Sequence, residues 1–534
     1  IFLSLLCVSQ FICSAESELK RPNIIVLLTD QERRPMHWPS GWVKANLPSQ
    51  ERLMKHGLSF QRAYTSTSMC SPSRALLLSS QFSTVNHVSV TLSDATPSPT
   101  FPSKDVLTNL ASLIQEKTDY EVVWKGKWHL SYAVNGLEDW SAKDIAKMKN
   151  IYGPLAWNPP DAGNADHSTY IRDKKFALST LGGGYANNDM RYVRGMISSD
   201  KKQVDGWGET ILDYLGKVGA QDKKTRKPFC LFISLVNPHD VWVHPIGWKE
   251  AGYQLKEFEN MGIDLPSNFK DSLETKPSIQ LKARDAINRI APFKNHKELV
   301  GYVNFYAYLQ TLVDREIIAI LDELEKYDLL EDTIIIRTSD HGELGLSHGM
   351  REKAYTVYEE EIHIPLIFSN PKLYPTPLLT NAFYSHLDLI PTISELIGFT
   401  PDHSDFQGIS QTPVLLGKMD AVRDSAVFAY DDVYLLPEDT PSSHIRCLLH
   451  DNWTYAVYFS INGTDFEYEL YDIEKDPGQL NNLLFGKEAM QYHQLANHLH
   501  RKLTERLRKE KGLIKGMYWP SEPFGKKNKK NSSS

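Results

Sequence analysis

Cysteine is scarce, and that excludes a class of scaffold. The 534-residue chain carries five. Cys7 and Cys13 fall in an apolar leader, which leaves Cys70, Cys230 and Cys447. Three is an odd number and too few for a disulfide framework. Excess positive charge is missing too. The formal net charge is −7, which gives no sign of a basic surface for nucleic acid. A basic cluster, Lys526-Lys527-Asn528-Lys529-Lys530, lies beside Ser532, Ser533 and Ser534. It reads as part of a solvated, disordered tail over 511–534. After the leader no apolar run reaches the length of a spanning helix, so no stable membrane span is expected. Internal repeats are absent.

What is present is enough for a large core. Apolar residues make up 41% of the chain, which at this length fits two or more domains, or one large α/β domain with an appendage. The first residues, Ile1-Phe2-Leu3-Ser4-Leu5-Leu6, stay apolar to Ile12 and give way to Ser14-Ala15. That reads as a truncated signal peptide over 1–15, cleaved after Ala15. A secretory route follows, to a secreted or lysosomal glycoprotein. Sequons at Asn452, Asn462 and Asn531 agree with it. Cys230 sits in the run Phe229-Cys230-Leu231-Phe232-Ile233 and reads as a packed strand residue. The spacing leaves a Cys230–Cys447 pairing open.

Ile24-Ile25-Val26-Leu27-Leu28 is continuously apolar and ends at Thr29-Asp30, the pattern of a buried parallel strand. Similar runs occur at 120–124, 229–235 and 333–338. A helix is expected over about 299–327, with Tyr302, Phe305, Tyr306, Leu309, Val313, Ile317 and Leu321 on its core face. Alternating strands and helices predict an α/β fold, a large sheet flanked by helices. After about residue 410 short alternating segments predict a small antiparallel sheet, followed by a helix over 487–509. The domains are therefore expected at 20–410 and 411–510. The polar, Pro-dotted stretch 241–297 reads as a lid or substrate-facing insertion.

Each long strand ends in polar residues: Asp30, Lys127, His239 and Asp340. Sites in open α/β sheets lie at the carboxyl ends of strands. Two carboxylates there, with Gln31 and His341 beside them, suit a divalent metal held mainly by oxygen. One Asp alone would more often be a helix cap. Between them lies Cys70-Ser71-Pro72-Ser73-Arg74. A cysteine that only packs needs neither a proline two residues on nor an arginine four residues on.

These motifs, with Gly126-Lys127-Trp128-His129 and Asn237-Pro238-His239, resemble the signature of the formylglycine-dependent sulfatases of the alkaline-phosphatase-like superfamily. The resemblance runs over about residues 22 to 480, including Glu469-Leu470-Tyr471-Asp472 and Asn481-Asn482-Leu483. It implies an alkaline-phosphatase-like mixed sheet with a small C-terminal antiparallel α+β subdomain. It implies conversion of Cys70 to formylglycine by a formylglycine-generating enzyme. One hydroxyl of the hydrated aldehyde attacks sulfur, and the other later expels sulfate. It implies one divalent metal, Ca²⁺ by family, with Mg²⁺ or Mn²⁺ as alternatives, held by Asp30, Gln31, the Cys70-derived oxygen, Asp340 and His341. By the same match Lys127 contacts sulfate and nucleophile, and His129 bonds the formylglycine hydroxyl. His239 protonates the leaving oxygen, and Arg74 fixes the loop and the metal carboxylates. Lys353, with Arg351 as a competing assignment, reaches the sulfate. His348 is expected to be structural.

Many sulfatases carry Asp-Asp and Asp-Asn where this chain has Asp30-Gln31 and Asp340-His341. That departure resembles the branch holding phosphonate monoester hydrolases and some arylsulfatases. One carboxylate fewer and one imidazole more weaken the case for Ca²⁺ and admit a transition metal. The expected activity is hydrolysis of a sulfate monoester on a small molecule or glycan. The rivals are a phosphonate monoester or phosphodiester hydrolase with the same site, and an inactive sulfatase-like binding protein.

Overall fold

Apolar runs without polar alternation are stable as strands only where both faces are covered. The computed structural model, which describes residues 19–34, 36–92, 100–132, 142–153, 156–161, 188–195, 209–402 and 406–525, builds such a sheet. Its strands are β1 (Asn23–Asp30), β2 (Gly57–Tyr64), β3 (Glu121–Lys127), β4 (Ala156–Asp161), β5 (Phe229–Pro238), β6 (Thr333–Ser339), β7 (Leu366–Ser369) and β8 (Leu378–Ser385). Their order is β4-β3-β5-β1-β6-β7-β2-β8. β7 runs against both neighbours; the other pairings are parallel. β1 is buried at all eight positions. Its side chains alternate between two cores: Ile24, Val26 and Leu28 on one face, Ile25 and Leu27 on the other.

The register explains the position of the site. Thr29 pairs with Ser339 and Asp30 with Pro238. The central strands therefore finish together and deliver Asp30, His239 and Asp340 to one edge. Facing that edge is the helix Cys70–Ser79, buried at all ten positions. The long helix His296–Lys326 covers one face of the sheet with Val313, Ile317 and Leu321, while the aromatic half of the stripe read from the sequence, Tyr302, Phe305 and Tyr306, packs in a separate core. It starts before residue 299 because the Asn295 side chain caps the Glu298 N–H.

A second, antiparallel sheet comprises β9 (Ser425–Tyr430), β10 (His444–His450), β11 (Trp453–Phe459) and β12 (Glu467–Asp472) in the order β12-β11-β10-β9. The helix His493–Lys509 closes it through Leu499, Leu503 and Leu507. Residues 487–492, expected within that helix, form a 3-10 turn instead.

Two further expectations change, and one open question closes. The disordered tail was expected from 511, but Leu513, Ile514, Met517, Trp519 and Phe524 pack against this second core. Apolar side chains at that density stabilise the chain by burial, and only 526–534 lies outside the described residues. The stretch 241–297 is less open than its composition suggested. It contains the helix Ser278–Ile290. Its Val241, Val243, Tyr253, Phe258 and Ile263 are buried with Tyr302 and Phe305. Cys230 and Cys447 are free thiols, one in the core under the large sheet and one under the small sheet. No described helix is long and apolar enough to cross a membrane. The expected signal peptide and Asn531 lie outside the described residues.

Candidate active site

Cys70 is the first residue of its helix, with Met69 before it in the left-handed region at φ 71. Gln31, at φ 67, and His129, at φ 55, share that rare conformation. Non-glycine residues are found there where the surroundings over-determine the backbone, and such positions gather at functional sites. Two glycines are also forced. A Cβ on Gly126 would lie 2.1 Å from the Ser234 carbonyl oxygen, and one on Gly342 2.1 Å from that of Glu360.

One oxygen, nitrogen or sulfur atom from each of Asp30, Cys70, Asp340 and His341 falls within a 4.8 Å cluster, and all four residues are buried. The His341 ring lies with Nδ1 3.0 Å from the Gly342 carbonyl. Nδ1–H is the donor there, so Nε2 is left as a bare acceptor. It sits 3.4 Å from Cys70 Sγ and 3.7 Å from Asp340 Oδ1. A carbonyl-oriented imidazole with two carboxylates is a donor set that fits a divalent cation. Cys70 Sγ stands in for the oxygens that formylglycine would present.

Buried carboxylates must be paired. Arg74 Nη2 donates to Asp30 Oδ2 at 2.9 Å and Nε to Asp340 Oδ2 at 3.1 Å. Its Nη1 spends its protons on Lys127 O and Ser234 Oγ. Lys127 Nζ lies 2.6 Å from Asp30 Oδ2 and 3.8 Å from Cys70 Sγ. Burial alone would raise Asp30, but Lys127, His239, Arg74 and His341 hold its carboxyl well below the usual range. The bare Cys70 thiol goes the other way. Burial and the Asp30 charge push it up to about 12 against Lys127 and Lys353.

The two candidate proton-transfer groups are both buried. His129 Nε2–H donates to the Leu92 carbonyl at 3.0 Å, leaving Nδ1 without a partner. Burial, then Lys127 and Arg74, lower its pKa well below the ordinary imidazole value. His239 is lowered in the same way by burial, Lys127 and Lys353. Burial is the first of these causes, and an anion seated between those lysines and the ring would oppose the other two at His239. Its Nδ1 has no partner.

Gln31 sits in a dense hydrogen-bonded group beside the cluster. Its backbone N–H bonds Asp340 Oδ1 at 3.0 Å. Its amide oxygen accepts from Lys353, and its NH₂ donates to Glu343 and to Glu352. The amide is thus engaged by the lysine and two acids. Lys353 carries a charge that Cys70, Glu352 and Asp30 stabilise against burial. Arg351 points elsewhere, donating to the Ile287 and Ala291 carbonyls. His348 is tied to Asp271 at 2.7 Å and stacks on Tyr358.

Sequence reasoning gave no role to Glu343 or Glu352. Glu343 was visible in Asp340-His341-Gly342-Glu343, and Tyr302 donates to it at 2.8 Å. Glu352 carried no local signal. It matters because the chain folds it back onto Glu343, with its N–H 2.9 Å from Glu343 Oε1.

The chain is similar to known proteins over most of its length. The sulfatase family model matches residues 22–399, and the C-terminal model of N-sulphoglucosamine sulphohydrolase matches 346–510. An N-acetylglucosamine-6-O-sulfatase of Bacteroides thetaiotaomicron is 25% identical over 88% of this chain and 84% of its own length. The human N-acetylglucosamine-6-sulfatase is 22% identical over 87% of this chain and 81% of its own. A solved structure with its substrate D-glucosamine-2-N,6-O-disulfate has TM-score 0.65 and 22% identity, covering 92% of this chain and 99% of that one. The phosphonate monoester hydrolase of Agrobacterium radiobacter has TM-score 0.63 and 18% identity, covering 92% and 96%.

Proposed function

Because the chain belongs to the sulfatase family, a family of sulfuric ester hydrolases, we propose that it hydrolyses a sulfate monoester of a glycan through formylglycine at Cys70. The observation that carries this is the convergence of Asp30, Cys70, Asp340 and His341 within 4.8 Å, with Lys127 and Arg74 neutralising the carboxylates.

Formylglycine would supply a hydrated aldehyde, one hydroxyl attacking sulfur and the other restoring the carbonyl as sulfate leaves. A divalent cation, Ca²⁺, Mg²⁺ or Mn²⁺, would be held by Asp30, Asp340 and His341. It would acidify that hydroxyl and neutralise sulfate oxygens. The remaining work falls to the chain. Lys127 and Lys353 hold the sulfate by charge. His129 Nδ1, kept unprotonated because Nε2–H is used on Leu92, accepts a proton from the hydroxyl. His239 gives a proton to the leaving oxygen once the bound anion has offset the two lysines. Burial of every one of these groups strengthens their charge interactions and excludes water.

Cys70 is only 2% exposed. Conversion by a formylglycine-generating enzyme therefore precedes closure of the fold, which fits a secretory route. Asn462 stands exposed as a glycosylation acceptor on that route. A second reading is favoured by Gln31 and His341, in which the same site acts on phosphonate monoesters. The test is parallel kinetics of formylglycine-bearing protein on sulfated glucosamine, aryl sulfate and aryl phosphonate monoesters. A higher kcat/KM on sulfate esters supports the first reading; preference for phosphonate supports the second.

A further inference from the structure

The 3-10 helix His239–Val243 directly follows β5. His239, Asp240, Val241 and Val243 are buried; Trp242 alone stays partly exposed. Side chains three apart in a 3-10 helix eclipse. Trp242 therefore rises from the same face as His239, one turn further out. His239 directly follows Pro238, the register partner of Asp30, so that face is the one turned to the sulfate pocket.

The indole has two open features. Its Nε1–H is buried without a hydrogen-bond partner, although a buried indole N–H ordinarily finds one. Its ring also meets no described aromatic ring, whereas Trp38, Trp124, Trp128, Trp248 and Trp519 each do, edge-on or stacked.

We propose that Trp242 is a substrate-binding platform. It stacks on the apolar face of the pyranose that carries the sulfate ester and donates Nε1–H to a hydroxyl of that ring. The inference rests on the sulfate-ester reading above and names its substrate class, a sulfated pyranose. A quaternary ammonium sulfate would also use the ring face. Its ammonium end, the part that would meet the ring, has no acceptor for the N–H, and the neighbouring Asp240 is engaged by the Tyr253 hydroxyl at 2.5 Å. A pyranose offers both a C–H face and hydroxyl oxygens, and beside His239 its own oxygen is the one that leaves.

The test compares formylglycine-bearing wild type, Trp242→Ala and Trp242→Phe on pyranoside monosulfates, ethyl sulfate and choline sulfate. Trp242→Ala is expected to lower kcat/KM on the preferred pyranoside about tenfold more than on ethyl sulfate, through KM. Trp242→Phe keeps a ring face, loses the N–H and falls between. Calorimetric binding of the same pyranoside sulfate to Cys70→Ser protein weakens by a similar factor when Trp242→Ala is added. Equal losses on pyranoside and ethyl sulfates, or a larger loss on choline sulfate, overturn the platform. So does wild type that cleaves ethyl or choline sulfate and no pyranoside. Wild type that releases sulfate from none of them overturns the sulfate-ester reading itself, and this inference with it.

Discussion

Arg74 and Asp30 form a fully buried ion pair, Nη2 to Oδ2 at 2.9 Å, inside the cluster that would hold the cation. The same guanidinium reaches Asp340 through Nε. One rigid fork thus sets the separation of two carboxylates at the ends of different strands.

Arg74→Ala should leave two buried carboxylates short of a partner and destabilise the fold by about 3 kcal/mol. Arg74→Lys should retain much of the stability and lose most of the activity, because an ammonium cannot span both acids. Thermal unfolding and turnover, measured together, check this. Equal activity in Arg74→Lys and wild type would mean the fork does not matter.

Asp30→Asn and Asp340→Asn should each lower bound divalent metal and turnover in parallel. Each removes an anionic oxygen donor from the four-residue cluster. Elemental analysis alongside activity decides it, and full turnover by metal-depleted Asp30→Asn would refute the assignment. Chelation should silence the wild type, with Ca²⁺, Mg²⁺ and Mn²⁺ compared for recovery. His341→Asn should shift that metal preference away from Mn²⁺, because it replaces an imidazole nitrogen with an amide oxygen.

His239→Ala should slow alkyl and sugar sulfates on the order of a hundredfold, and an activated nitrophenyl sulfate far less. A proton donor matters most where the departing oxygen is basic. Equal slowing of both substrate types would make His239 a binding residue only.

Much of this was legible in the sequence. The strands ending at Asp30, Asp340 and near His239 announced themselves as apolar runs closed by polar residues, and β register brings such ends together. The Cys70 to Arg74 spacing is local to one helix, so it could be read without the fold. The Gln31 amide could not. Its engagement with Lys353 and Glu352 spans more than three hundred residues of sequence, and nothing near either end encodes it. Arg351 and Lys353 were likewise inseparable by spacing. The structure divides them, Arg351 to the Ile287 carbonyl and Lys353 to Gln31. The 511–525 segment was misread because basic and serine residues after it dominated the composition. Its Leu513, Met517 and Trp519 are the residues that pack.

The central claim is that turnover belongs to formylglycine at Cys70. Protein made with and without a formylglycine-generating enzyme, analysed by mass spectrometry of the Cys70 peptide and assayed on the same preparations, tests it. The account predicts that sulfate release rises in proportion to the aldehyde fraction and that Cys70→Ala folds normally with no turnover. Full activity in protein whose Cys70 is entirely unmodified thiol would contradict it.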